Sequence, residues 1–232
     1  MIDFSNWRHT FKLDPDKPIE EEQLERICES GTDAIIVGGT LGVTYDNTLE
    51  LMSRVRRYAV PCVLEVSNLQ AIVPGFDSYF VPIVLNAGNP NVIFAPHVAA
   101  IQSFGSYIPW EEIVAEGYLV CNPDSSVAEV TQAKQITSPE EARAYAHTAT
   151  KLCRLPIFYV EYSGSFGEPE IVRACMRAMD GAHLFYGGGI TSPSQAKEMA
   201  EIADTVVVGN IIYDDSNAAL STVEAVKNTN KK

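Results

Sequence analysis

Residues 184–210 read LFYGGGITSPSQAKEMAEIADTVVVGN, and the alternation inside this stretch decides the fold. Residues 184–186 are a short apolar run of strand length, followed by Gly187, Gly188 and Gly189. Ser192 and Pro193 then open a helix, because serine is a favoured N-cap and proline at the first helical position forfeits no hydrogen bond. Ala196, Met199, Ala200 and Ala203 recur at i, i+3, i+4 and i+7, one apolar helical face. Residues 205–208 are β-branched throughout, as in a parallel strand covered on both faces, and they end at Gly209 and Asn210. The unit is strand, glycine turn, helix, strand, glycine turn. Such turns leave backbone N–H groups bare and let an anion approach them. In a (β/α)8 barrel the loops after strands seven and eight frequently hold phosphate, although glycines at βα turns also serve the turn alone.

The same rhythm extends over the rest of the chain. Strands are predicted at residues 9–13, 34–37, 62–66, 79–85, 117–121 and 156–162, ahead of the two in the opening stretch. Helices are predicted at 19–30, 46–58, 96–105 and 138–152, after Glu168-Pro169, after Ser192, and at 217–227. Leu49, Met52, Val55 and Ala59 are expected on the inward face of the second helix. Ala142, Tyr145, Ala146, Ala149 and Leu152 are expected inward in the helix that Ser138 to Glu141 opens as a capping box. Residues 68–78 carry Pro74 and Gly75 and no helical stripe, so the third helix is expected to be missing or irregular. Eight strands alternating with helices imply a parallel sheet closed into a modified (β/α)8 TIM barrel, one domain over residues 1–232.

Composition narrows the function. The 232 residues are 46% hydrophobic, enough for a full core, and the net charge is −13. That charge argues against a nucleic-acid partner or an anionic membrane surface. It also means that an anion site must be made locally positive by backbone dipoles, one or two cations and a metal ion. Cys28, Cys62, Cys121, Cys153 and Cys175 are widely spaced and odd in number, which reads as small buried hydrophobes in a reducing compartment. With no apolar run of spanning length and no signal peptide, the expected location is cytoplasmic, any lipid substrate being reached by transient contact with a membrane surface.

In a barrel of this kind function lies at the strand C-termini. Those ends carry Lys12 and Asp14, Gly39 and Thr40, Glu65, Asn86, Asn122, Glu161 to Gly164, Gly187 to Gly189, and Gly209 with Asn210. Lys12 and Asp14 are two apart on an extended chain and point to one side, suited to holding a phosphate and Mg²⁺, or to a rim ion pair. Glu161 interrupts an apolar, aromatic strand and shares a face with Tyr159 and Ser163. A carboxylate buried there costs several kcal/mol unless it is paired or used. His9, His97, His147 and His183 have no metal-ligand spacing and read as structural. A phosphate-binding barrel isomerase or flavin enzyme shares the glycine turns, and a non-catalytic phospholigand-binding barrel is the non-enzymatic alternative, though an isomerase usually needs a second acid–base residue.

The segments WRH-x-FKLDP, SGTDAIIVGGT, PCVLEV, GYLVCNPDS, FYVEYSG, LFYGGGI and ADTVVVGN together resemble the PcrB family, relatives of archaeal geranylgeranylglyceryl phosphate synthase, and most closely its bacterial heptaprenylglyceryl phosphate synthase branch. The resemblance runs over nearly the whole chain. It implies a modified barrel without the third helix, and transfer of a polyprenyl group from its diphosphate to the C3 hydroxyl of sn-glycerol 1-phosphate. It further implies Mg²⁺ held by Asp14 and Thr40, and a homodimer. Lys12 would contact glycerol phosphate. Tyr159, Val160, Glu161, Tyr162, Ser163, Gly164, Gly189, Gly209 and Asn210 would form its pocket, with Glu161 removing the hydroxyl proton. Ala100 aligns with a tryptophan of archaeal relatives and would leave the prenyl groove open to about seven isoprene units.

Overall fold

A computed structural model describes residues 2–231. Eight parallel strands close on themselves in chain order, β1 pairing with both β2 and β8. They are β1 (His9–Leu13), β2 (Ala34–Val37), β3 (Cys62–Glu65), β4 (Ser78–Val84), β5 (Ile113–Val120), β6 (Ile157–Glu161), β7 (His183–Gly187) and β8 (Thr205–Val208). Helices α1 (Glu21–Cys28) and α2 (Tyr45–Val55) follow β1 and β2. Helix α3 (Ala95–Phe104) joins β4 to β5, and α4 (Ser126–Thr131) and α5 (Pro139–His147) join β5 to β6. Helices α6 (Pro169–Met176) and α7 (Pro193–Ala200) follow β6 and β7, and α8 (Ile211–Asp214) and α9 (Ser216–Lys227) close the chain.

The sequence pattern accounts for these elements. Strands β2 and β8 are buried at every position, as β-branched runs between barrel and helices require. The Ser192 side chain accepts from Gln195 N and caps α7, with Pro193 at its first position. Between β3 and β4 only a 3₁₀ turn, Leu69–Ala71, interrupts an irregular segment, so the third barrel helix is indeed absent.

The core has two layers. Phe11, Leu13, Ile35, Leu64, Phe158 and Val208 pack outward against Leu24, Val55, Ile171 and Met199 of the helices. The other strand face fills the barrel interior with Ile36, Val63, Phe80, Tyr159, Phe185 and Val207. Phe4 makes edge contacts with Trp7, Phe80 and Phe185 and plugs the N-terminal end of the barrel.

Some local expectations are corrected. In α2, Leu49 is exposed and Thr48 and Leu51 are buried in its place, a shift in the phase of the inward stripe. After α5 the chain makes a π-turn, Thr148–Leu152, and the extra residue per turn swings Leu152 into solvent. Ser138 caps α5, but Glu141 Oε2 accepts from the Thr137 amide and hydroxyl, so no reciprocal capping box forms. Cys153 is exposed, whereas the other four cysteines are buried free thiols.

Candidate active site

The C-terminal mouth of the barrel gathers the polar residues of four strands. Strand parity turns Lys12, Glu65, Glu116, Tyr118, Tyr159 and Glu161 into the interior. Registers Tyr118↔Tyr159 and Val120↔Glu161 set β5 and β6 side by side, and the Tyr118 and Tyr159 rings stack at 4.7 Å. Glu161 lies opposite Gly187 on β7. A Cβ at Gly187 would overlap the Tyr159 hydroxyl, so only glycine lets that ring stand upright in the barrel.

Glu161 is 2% exposed and both of its oxygens are engaged. Tyr118 donates its hydroxyl proton to Oε2 at 2.6 Å, and the Ser163 amide donates to Oε1 at 2.5 Å. Burial, then the Glu161 charge, pushes the Tyr118 hydroxyl well above its ordinary range, so it is a donor at any working pH. Lys12 Nζ stands 2.5 Å from Glu65 Oε2 and about 6 Å above the rings of Tyr118 and Tyr159. Burial works against its ammonium, but the carboxylates of Glu65, Glu161 and Glu116 outweigh that and hold its pKa above the usual lysine value. Glu116 is fully buried and neither of its oxygens has a hydrogen-bond partner in the structure. Desolvation, reinforced by Glu65, pushes its pKa well up, so it stays protonated beside a single lysine.

The loops above this floor are tied together. Asn122 Nδ2 donates to Ser163 O at 2.6 Å, and Tyr186 Oη accepts from Gly167 N while donating to Gly188 O. Gly189 has φ +54°, and a Cβ there would overlap the backbone of Ser165 and Phe166. Among the described residues the amides of Gly188, Gly189, Gly209 and Asn210 donate no hydrogen bond to the protein. These two groups of free donors crown neighbouring strands, β7 and β8. Lys17 Nζ bonds Asn210 Oδ1 at 3.0 Å, bringing a second cation to this rim.

Asp14 is half-buried, and its Oδ1 accepts from Asp16 N at 3.0 Å. Burial raises its pKa, opposed by that hydrogen bond and by Lys17. Its carboxylate lies against the Gly39 backbone, where any Cβ would collide with it, and exposed Thr40 follows Gly39 directly. Val160 faces the outer layer, so its contribution to the site is backbone alone. Tyr162 also packs outward, while Ser163 and Gly164 are exposed at the rim. Ala100 is half-buried on α3, on the β4–β5 connection rather than at a strand end.

Tyr118, Glu116 and Lys17 escaped sequence reasoning. Tyr118 and Glu116 lie in the first part of β5, and Lys17 lies beyond the segment assigned to β1. The parity of β5 would have marked Glu116, Tyr118 and Val120 as one face had the strand been started at Ile113. The histidines are structural where their bonds are seen: His9 is clamped between the Thr32 and Thr222 hydroxyls, and burial lowers its pKa to about 3. Among the described residues no cluster of three or more His, Cys, Asp or Glu could hold a metal by itself.

These features coincide with known proteins. A 67% identical relative, covering 99% of both chains, is the heptaprenylglyceryl phosphate synthase of Brevibacillus brevis. The enzyme of that name from Bacillus cereus is 56% identical over 98% of this chain and 99% of its own. The structure of (S)-3-O-geranylgeranylglyceryl phosphate synthase from Thermoplasma acidophilum, in complex with its substrate sn-glycerol-1-phosphate, superposes with a TM-score of 0.83. It is 28% identical and covers 96% of this chain and 94% of its own. The PcrB family model matches residues 2–227. With nearly every residue inside that match, the chain belongs to the PcrB family.

Proposed function

We propose that this chain is a prenyltransferase that moves a heptaprenyl group from its diphosphate to the C3 hydroxyl of sn-glycerol 1-phosphate. The observation that carries this reading is the Glu161 carboxylate, oriented by Tyr118 and the Ser163 amide below two rims of free backbone donors. The acceptor phosphate rests on the amides of Gly189, Gly209 and Asn210, with Lys17 beside them and Lys12 beneath. Main-chain dipoles bind an anion without demanding many cations, which suits a chain of net charge −13. Tyr159, Ser163 and Gly164, with the backbone of Val160 and Tyr162, wall the glycerol moiety. Glu161 takes the C3 hydroxyl proton, the oxygen bonds to the first prenyl carbon, and the bond to diphosphate breaks with its electron pair leaving on diphosphate.

Asp14 and Thr40 fit the protein's share of a Mg²⁺ site. Magnesium keeps several waters and binds through one or two carboxylates plus substrate phosphates, so no larger carboxylate cluster is needed. Burial raises the pKa of Asp14, so a cation beside it would favour its charged form. When bound, Mg²⁺ supplies charge neutralisation for the departing diphosphate. The open side of α3 at Ala100 takes the prenyl tail. We further place the reaction in the cytoplasm, on a homodimer, each copy a single domain; no helix among the described residues is long and apolar enough to cross a membrane.

The test is a product assay with radiolabelled sn-glycerol 1-phosphate against prenyl diphosphates of graded length. The expected outcome is ether product that peaks near seven isoprene units. In Glu161→Gln, turnover is expected to fall about 10²- to 10⁴-fold while glycerol phosphate still binds. Unchanged turnover in that variant would remove the base role.

A further inference from the structure

Between Asp77 and Glu111 the chain contains no aspartate, glutamate, lysine or arginine, although the protein carries 30 acidic and 17 basic residues. This span holds β4, α3 and the 3₁₀ turns Gly105–Tyr107 and Trp110–Glu112, the last reaching just beyond it. No residue of α3 is fully buried. Of the ten large hydrophobic residues exposed among the described residues, five fall here: Phe94 at 64%, Val98 at 52%, Ile101 at 46%, Tyr107 at 89% and Trp110 at 58%. The other five are spread over the β2–α2 connection, α2, α4 and the π-turn, as single exposed apolar residues usually are. In α3 only His97, Gln102 and Ser103 are polar, and a helix so largely apolar is normally a covered helix. Here the cover is not supplied by the chain itself.

We propose that the face formed by α3, Tyr107 and Trp110 docks on the uncharged interfacial region of a lipid bilayer, and that the prenyl donor passes from the bilayer into the barrel along it. This rests on the prenyltransferase reading, which gives the protein a substrate with a long apolar tail. Three observations favour lipid over a protein partner. An interface between proteins has a polar rim whose charges set register, and residues 78–110 carry no charge with which to do so, Glu111 and Glu112 standing only at their edge. Its aromatic residues are of the interfacial kind: Tyr107 and Trp110, each with an apolar ring and a polar tip, are exposed as the aliphatic Val98 and Ile101 are. And a protein of net charge −13 is repelled by anionic headgroups, which favours residues 78–110, free of that charge, as the region that meets a membrane. His97, the one histidine of this face, is turned to the Pro82 carbonyl, its Nε2 at 3.1 Å. Ala100, where the tail is expected to enter, lies on the same helix.

The intact protein carries its own reporter. Of its two tryptophans Trp7 is buried and Trp110 is exposed, so a change in emission on adding vesicles reads Trp110. Adding phosphatidylcholine vesicles is expected to shift the emission to the blue and to sediment the protein. Salt should leave both effects unchanged, and including phosphatidylglycerol should weaken them. The triple variant Phe94→Ser/Tyr107→Ser/Trp110→Ser should bind vesicles at least tenfold more weakly. It should lose turnover of vesicle-embedded heptaprenyl diphosphate while retaining turnover of a short, water-soluble allylic diphosphate. No emission shift in the unmutated protein, or equal vesicle binding by the variant, overturns the proposal. So does a variant whose molar mass by light scattering drops from dimer to monomer while vesicle binding persists, since the face would then join two copies. Normal vesicle binding with no turnover of either donor would instead defeat the prenyltransferase reading.

Discussion

Tyr118 on β5 and Glu161 on β6 are joined inside the barrel by a 2.6 Å hydrogen bond in which the phenol can only donate. A hydroxyl on a carboxylate both aims it and offsets its buried charge, a contribution of about 1.5–3 kcal/mol. Tyr118→Phe keeps the ring stacked on Tyr159 and removes only that donor. The expected result is a fall of about ten- to a hundredfold in kcat, with the KM for glycerol phosphate little changed. Steady-state kinetics decide this, and an unaltered kcat would show that the Ser163 amide positions Glu161 alone.

Asp14 sits with its carboxylate against Gly39, one residue from Thr40, at the mouth rather than in the floor. Asp14→Ala should abolish Mg²⁺-dependent turnover while leaving the fold intact, because a half-buried side chain with one local hydrogen bond contributes little to stability. A titration of activity against Mg²⁺, with a chelator as control, checks it. Full activity in excess chelator would refute the assignment.

Much of this arrangement was legible before the structure. The boundaries of β1, β2 and β8 match their expected positions: β2 and β8 are apolar or β-branched runs closed by a turn, and β1 is stopped by the Asp14-Pro15 step. The break at residues 68–78 was visible because Pro74 and Gly75 deny a helix its stripe. What escaped was hidden by buried charge. Strand β5 starts at Ile113, but Glu116 splits its apolar run, and hydropathy counts a carboxylate as surface even when it faces the floor of a barrel. Its parity partner Tyr118 escaped with it. Leu152 was misplaced for a different reason: a π-turn cannot be read from a stripe that assumes 3.6 residues per turn. The pairing of Lys12 with Glu65 is a contact across two strands, which spacing along one chain does not report.

Gly189 and Gly209 offer a controlled comparison. Alanine at Gly189 would strain a backbone at φ +54° and drive its methyl into Ser165 and Phe166, so the rim must move. Alanine at Gly209 meets only the Lys12 carbonyl, at 3.6 Å, an ordinary contact. Gly189→Ala should therefore lower the melting temperature and raise the KM for glycerol phosphate. Gly209→Ala should leave the melting temperature unchanged and raise that KM alone, because the methyl occupies the approach of the anion. Equal KM values for Gly209→Ala and the unmutated enzyme would place the phosphate elsewhere.

Ala100 is half-buried on α3, and a larger side chain there would fill space beside the exposed Val98 and Ile101 without entering the packed core. Ala100→Trp should shorten the prenyl chain accepted, with activity on short donors kept and activity on the heptaprenyl donor falling at least tenfold. Product lengths measured across the graded donors test this, and undiminished use of the longest donor would place the groove elsewhere.

Glu116 connects the polar floor to stability. Its folded-state pKa lies well above the unfolded value of about 4.3, because burial and Glu65 disfavour its charge. The native state therefore holds a proton that the unfolded state releases. The stability this group contributes is complete below about pH 4 and is lost as the pH rises toward the folded pKa, at up to about 1.4 kcal/mol per pH unit. Glu116→Gln keeps a neutral side chain of the same shape and has no proton to lose. Its stability relative to the parent should thus grow steadily as urea unfolding is repeated from about pH 5 upward, Lys12, Glu65, Glu161, Tyr118 and Tyr159 being the groups that face it in both proteins. Parallel curves for parent and variant would mean that Glu116 ionises in the folded barrel, with Lys12 shared between two carboxylates instead of held by Glu65.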